Sequence, residues 1–303
     1  MLRSFIAHIP RRHIVKTGRL LGILMSFLVV PHRRLVRRNL QFCYPDWSRH
    51  RIVELSREIF KNAGITFLEI WQMSFLSREQ LLGMMKQVQG MEHIVNALKQ
   101  KRGAIVFTAH MANWELGFIY GGCYLGRPAT GVARHIRLPW LDRWFYRLRT
   151  RFGNKIIFKK DALPEMRQTL RKGEILALTI GQSRHKQAIE IMFFGHRATA
   201  TPAAALLSMR CKSPVIPSFC IREPDGSLTL QVAPPLKMEK TGDLRADLRI
   251  NTQKMVDAME AMIRRYPAQW IWFQRPWKKT YPQLYPEWAA RRRKHKKRKK
   301  SGT

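Results

Sequence analysis

Acidic residues are scarce in this chain. Its 303 residues hold 20 Asp and Glu against 56 Lys and Arg, a formal net charge of +36. That balance calls for a polyanionic partner: nucleic acid, an anionic membrane face, or acidic proteins and phosphorylated substrates. Charge alone does not choose among them. Cysteine is sparse too. Cys43, Cys123, Cys211 and Cys220 are scattered, without C-x-x-C spacing or a His/Cys cluster suited to zinc. They read as buried or free thiols in a reducing compartment rather than as a disulfide framework. No stretch reaches the roughly 18 apolar residues of a membrane-spanning helix. No G-x-S-x-G elbow marks a serine nucleophile. No helix-turn-helix, RNP-like or zinc-finger signature accompanies the basic charge, which argues against a specific nucleic-acid binder. Internal repeats are lacking as well.

What is present suits a globular protein. The apolar fraction is 45%, which excludes global disorder. The length fits one large domain or two small ones. Residues 1–40 form a basic, apolar arm. Its longest apolar run, Leu20 to Val30, is flanked by Arg11, Arg12, Lys16 and Arg19 before it and by Arg33, Arg34, Arg37 and Arg38 after it. The later arginines and the lack of an A-x-A-type site argue against a cleaved signal peptide. The arm is expected to lie as an amphipathic helix on an anionic membrane, although a buried first helix has the same pattern.

Residues 41–290 read as an α/β domain. Ser48 is a plausible N-cap for a helix carrying Ile52, Val53, Leu55, Ile59 and Phe60, and Ser77 with Gln80 forms a capping box. Short β-rich runs follow at 104–108, 131–133, 155–158, 175–180, 214–219 and 228–232, mostly separated by helical stretches such as 163–172 and 201–209. The alternation predicts a mixed, mainly parallel sheet flanked by helices. The turn at 223–226 predicts a hairpin and an antiparallel edge. A last helix near 248–265 leads into a segment with Trp270, Trp272, Trp277 and Trp288, which suits either a packed wrap or an interfacial belt. Residues 291–303 are expected to be a disordered basic tail, with nine Lys/Arg in the ten positions 291–300.

The strongest chemical signal is GAIVFTAHMANWELGFIYGG, residues 103–122. A buried strand runs into His110, and Glu115 follows with four residues between. In one continuous helix these two would sit about 140° apart in azimuth, so they meet only if the chain turns between them. Asn113 supplies that turn as an N-cap, with Trp114 and Glu115 in the first helical turn. His110 is thereby placed at the carboxyl end of a strand, where open α/β sheets carry their sites. A carboxylate on Nδ1–H would fix the imidazole tautomer and free Nε2 as a base. Without a protein nucleophile, such a pair suggests direct attack by a substrate hydroxyl under general-base catalysis.

GAIVFTAHMANWE resembles the H-x-x-x-x-D/E motif of the lysophospholipid acyltransferase superfamily, and most closely the bacterial lipid A lauroyl/myristoyl acyltransferases. Further blocks in the same order carry the resemblance: RRLVRRNLQFCYPDWS, GVARHIRLPWLDRW, RTRFGNKIIFKKDALPEMRQTLRKGE, IEIMFFGHRATATPAAALLSMRCKSPVIP and PAQWIWFQRPWK. Together they span most of residues 20–280.

The resemblance implies a glycerolphosphate-acyltransferase-like fold and an enzyme that takes an acyl chain from acyl carrier protein to a hydroxyl of a phosphorylated lipid A precursor. It implies the cytoplasmic face of the bacterial inner membrane, with no cofactor beyond the acyl carrier protein co-substrate and no metal. His110 matches the family's base and Glu115 its orienting carboxylate. Arg134 and Arg149 fall in the arginine-bearing blocks, with Arg151 an equally placed competitor for Arg149. Asn113, Trp114, Gln182, Phe194, Gly195 and Thr199 complete the expected substrate-binding set. One departure is that Gly181 stands where the family usually has Asp. It leaves other acceptors open, such as a lysophospholipid, an aminolipid or another glycolipid. The donor could equally be coenzyme A.

Overall fold

The computed structural model describes residues 2–158, 162–181 and 188–290. Four helices begin the chain: α1 (Leu2–Ala7), α2 (Arg11–Leu28), α3 (Val30–Cys43) and α4 (Arg49–Met73). Helix α2 buries Ile14, Gly18, Gly22 and Ser26, one residue per turn, against α4. The glycines make this crossing tight. A Cβ on Gly22 would collide with the Phe60 carbonyl oxygen, and one on Gly64 with the Gly18 carbonyl oxygen. The opposite face leaves Leu20, Leu24, Phe27 and Leu28 exposed, between 54% and 68%. Pro31 at the start of α3 has no N–H to continue α2, and the two helices meet at 95°. No single helix among the described residues is long and apolar enough to cross a membrane. Within the arm read as residues 1–40, α2 packs on α4 along one face, and Leu35, Val36 and Leu40 of α3 join the main core.

The remaining elements are α5 (Arg78–Gly83), β1 (Met85–Gln89), α6 (Met91–Lys99), β2 (Ala104–Thr108), α7 (Trp114–Leu125), β3 (Ala129–Ala133), α8 (Pro139–Thr150), β4 (Lys155–Phe158), α9 (Leu163–Arg171), β5 (Ile175–Thr179), β6 (Ile189–Phe193), β7 (His196–Ala200), α10 (Ala203–Cys211), β8 (Val215–Arg222), β9 (Leu228–Val232) and α11 (Leu244–Arg265). Ser48 caps α4 by accepting from the Arg51 N–H at 3.3 Å. Ser77 and Gln80 form the expected capping box on α5.

Seven strands form one sheet in the order β1-β9-β8-β2-β5-β3-β4. All neighbours are parallel except β8 and β9, joined by the 223–226 turn. The expected mixed sheet is therefore present, but its antiparallel pair is internal. Strand β1, which the polar sequence MKQVQ concealed, covers that edge. A separate hairpin, β6–β7, was also not expected.

Alternation along the central strands feeds two cores. Ile105, Phe107, Leu176, Val215 and Phe219 face α3, α4, α11 and the C-terminal segment, while Ala104, Ile175, Ile216 and Cys220 face α5–α7. The C-terminal tryptophans settle as a packed wrap: Trp270, Trp272 and Trp277 are at most 2% exposed, and Trp288 packs partly buried beside them. The basic tail at 291–303 lies outside the described residues.

Candidate active site

Strand β2 delivers His110 to a turn held by chain from far away in sequence. Ala112 has φ +40°, a costly conformation for a residue with a Cβ. Its neighbours hold it there. The Ala112 N–H donates to the Gln269 carbonyl at 2.9 Å, and its own carbonyl accepts from Thr66 Oγ1 at 3.0 Å. The Ile271 N–H donates to the His110 carbonyl at 2.9 Å. Asn113 then caps α7, its Oδ1 accepting from the Leu116 N–H at 2.9 Å. The turn predicted between His110 and Glu115 is present, with Asn113 as its cap.

The partner of Glu115 differs from expectation. Its carboxylate, 4% exposed, is taken by Arg149, whose Nε donates to Oε2 at 2.8 Å and whose Nη2 donates to Oε1. Trp114 Nε1 donates to Oε1 at 3.1 Å. No hydrogen bond joins Glu115 to His110 among the described residues, because the guanidinium fork fits both carboxylate oxygens at once. His110 Nδ1 instead lies 3.3 Å from Nε2 of the Gln274 side-chain amide, and the Trp114 ring meets the imidazole edge-on at 5.1 Å.

These neighbours set the charge states. Burial lowers the His110 pKa from its ordinary 6.5. The Glu115 charge opposes this and the Arg149 charge adds to it. The lowered pKa favours the neutral imidazole at pH 7. Burial disfavours the Arg149 cation, but the hydrogen bonds and charge of Glu115 outweigh it and hold the guanidinium above its ordinary value. Cys220, the thiol nearest this region, is pushed up to about 12 by burial and then by the Glu69 charge. It is no thiolate at neutral pH.

His110, Trp114, Glu115, Arg134 and Arg149 all open onto one cavity of about 790 Å³. Its lining also takes in Phe118, Gly121 and Leu125 of α7 and Val106, Ile175 and Leu230 of the sheet, a largely apolar stretch between that helix and the strands. Gly121 makes room there, since a Cβ on it would meet nothing within 4 Å. The site thus joins an imidazole and two guanidiniums to an apolar channel.

The other expected residues fall elsewhere. Arg151 donates to the Met73 and Ser74 carbonyls at 3.3 and 3.0 Å, tying the end of α8 to α4, so Arg149 is the arginine at the cavity. Asn113 is fully buried behind the lining. Phe194 and Gly195, with φ +54° and +74°, are the tight turn of the β6–β7 hairpin. Phe194 is buried among Phe193, Tyr44 and Trp272. Thr199 pairs with Glu190 within the hairpin. None of these three lines the cavity, where Ala200 to Ala204 stand instead. Gln182 lies outside the described residues. Gly181 lines the cavity at φ +98°, and a Cβ there would press on Met259 at 3.0 Å, so a carboxylate side chain at 181 would be strained. No group of three or more His, Cys, Asp or Glu among the described residues is placed to hold a metal ion.

Two residues escaped the sequence reading. Gln274 sits within a quoted block, but only the fold brings it to His110. Glu69 lies on α4 in an ordinary helical stretch, and its role appears only from its buried partners.

An α/β sheet with an H-x-x-x-x-E turn at the end of a central strand and an apolar channel beside it defines an acyltransferase site. Residues 1–279 match the bacterial lipid A biosynthesis acyltransferase family, and the chain belongs to it. It is 26% identical over 292 residues to a lipid A biosynthesis lauroyltransferase of Escherichia coli strain K12, covering 93% of this chain and 90% of that protein. A lipid A biosynthesis acyltransferase of Haemophilus influenzae is 28% identical over 284 residues, 90% and 87% of the two chains. A phosphatidylinositol mannoside acyltransferase of Mycolicibacterium smegmatis is 27% identical over 201 residues, 65% of this chain and 64% of that one.

Proposed function

We propose that this enzyme transfers a fatty acyl chain from the thioester of acyl carrier protein to a hydroxyl of a phosphorylated lipid A precursor, at the cytoplasmic face of the bacterial inner membrane. The observation that carries the reading is the shared cavity: His110, neutral at pH 7, and Arg134 and Arg149 open onto an apolar channel.

The acyl chain lies in the channel beneath α7. The acceptor hydroxyl gives its proton to His110 Nε2 as its oxygen attacks the thioester carbonyl. For Nε2 to be the free nitrogen, Nδ1 must hold a proton and give it to an acceptor. Gln274 stands with Nε2 toward the ring, and turning its amide over brings the oxygen there as that acceptor. Arg149 keeps Nη1 without a hydrogen bond among the described residues, and this N–H serves the tetrahedral oxyanion. One such donor typically contributes ~3–4 kcal/mol. The C–S bond then breaks, and the departing thiolate takes the proton from His110. Arg134, exposed at the mouth, receives a phosphate of the acceptor. The exposed apolar face of α2 and its flanking arginines hold the enzyme at the bilayer surface.

Gly181 favours a second reading on the acceptor side. The likeness to a phosphatidylinositol mannoside acyltransferase makes another glycolipid the alternative. Acyl transfer from acyl carrier protein to a lipid A precursor should fall roughly 10²–10⁴-fold in His110→Ala. Full activity in that variant would end the mechanism. Mass spectrometry of lipids from a deletion strain separates the acceptors: lipid A lacking one acyl chain supports the first, and unchanged lipid A rejects it.

A further inference from the structure

The turn that carries His110 is held from behind by a second set of charges. Glu69 on α4 is fully buried. Its Oε1 accepts from Arg11 Nη2 at 2.8 Å and from Arg222 Nη1 at 2.7 Å. Its Oε2 accepts from Arg222 Nη2 at 3.0 Å and from Asn113 Nδ2 at 3.1 Å. Arg222 Nη2 also donates to Thr66 Oγ1, the hydroxyl that holds the Ala112 carbonyl. Glu69, Arg222, Thr66 and Asn113 do not line the cavity.

The Asn113 amide has two ends and two tasks. Its oxygen must point at the Leu116 N–H to cap α7, so its nitrogen must find an acceptor in the interior. A carboxylate can only accept, so Glu69 leaves the amide one orientation. Arg11 extends the same cluster to the N-terminal arm. It is the first residue of α2, and its Nε also donates to the Gly226 carbonyl at 2.7 Å.

The geometry points to Glu69 as a positioning residue for His110: it fixes Asn113, and with it the 110–113 turn, and through Arg11 it ties that turn to the seating of α2. The inference rests on the reading of His110 as the base. Glu69 touches no reacting atom. It sets where the imidazole stands relative to Glu115 and Arg149, which leave the same turn on α7 and meet it from α8.

A polarity swap tests this. Asn113→Asp keeps the cap but sets carboxylate against carboxylate. Glu69→Gln removes the charge that orients the amide. Paired, the new amide nitrogen at 69 can donate to the new carboxylate at 113, and the charge of the cluster is conserved. Each single variant should lower kcat about tenfold or more, with KM for both substrates held within about twofold. The pair should recover to within about threefold of the parent, a coupling that independent sites do not show. Arg11→Gln should lower kcat about threefold, as one of the partners of the buried carboxylate is lost. Thermal melts accompany each assay. Where Glu69→Gln does not fold alone, Asn113→Asp carries the test, since it leaves both arginines on their carboxylate. Folded Asn113→Asp with the parent's kcat, or a folded pair that does not recover, overturns the proposal. Unchanged kcat in Arg11→Gln overturns the tie to α2. His110→Ala, run beside them, keeps the two questions apart. If it is inactive while Asn113→Asp is unimpaired, only the positioning role is lost, whereas an active His110→Ala removes the base itself.

Discussion

Arg149 grips Glu115 with both prongs of its guanidinium, Nε to Oε2 at 2.8 Å and Nη2 to Oε1, and among the described residues no hydrogen bond joins the carboxylate to His110. The acid of the motif therefore acts on the imidazole through space and holds a cation that lines the cavity. Its loss is felt twice.

The pH profile separates these effects. Glu115 raises the His110 pKa and Arg149 lowers it. Glu115→Gln should move the acid limb of kcat to lower pH, and Arg149→Met should move it up. Each single change also leaves a buried partner unpaired, at about 3–5 kcal/mol, whereas the double variant removes both and should cost less than the sum. In the parent, the folded pKa of His110 lies below 6.5, so the unfolded chain binds the proton more readily. The stability His110 contributes is present above pH 6.5 and is lost as pH falls through the folded value. Kinetics and denaturation across pH 5–8 measure both.

Gln274 should govern the tautomer. Gln274→Leu removes the partner of Nδ1 and is expected to lower kcat about tenfold, within the range of general-base effects, with little change in KM. Gln274→Glu sets a carboxylate 3.3 Å from the ring nitrogen and should raise the acid limb instead. Equal activity of both variants with the parent would remove Gln274 from the mechanism.

Gly121 borders the channel with open space where a side chain would stand. Gly121→Leu should shorten the preferred acyl chain by filling that space, with kcat for a short donor near the parent's. A competition assay with mixed acyl donors reads the shift. An unchanged product distribution would place the chain elsewhere.

The exposed face of α2 predicts membrane dependence. Leu24→Glu with Phe27→Glu changes residues 54% and 63% exposed, so the thermal midpoint should stay within a few degrees. Flotation with vesicles containing anionic phospholipid should fall about tenfold or more, since two buried apolar side chains are worth several kcal/mol. Undiminished flotation would assign that face another role.

Local features of the sequence were legible. The strand into His110, the Asn113 cap, the Ser77 box and the 223–226 hairpin each depend on neighbours within a few residues, and each stands where expected. Distant pairings were not. Gln274 reaches His110 across 164 positions, and Arg222 reaches Glu69 across 153. On a chain with 56 basic residues, no pattern singles out Arg222 as a buried arginine. The short polar strand β1 shows little alternation because it is an edge. Phe194 and Gly195 were read as site lining, but their positive φ values belong to a hairpin turn.

The 110–113 turn takes its hydrogen bonds from Thr66 on one side and from residues 269 and 271 on the other. It works like the clasp of a belt, with reactive groups at the buckle. A partly folded chain, its wrap still open, lacks the bonds from residues 269 and 271 that hold Ala112 and His110 in place. The surroundings of His110 are therefore completed only when the C-terminal segment closes over the turn.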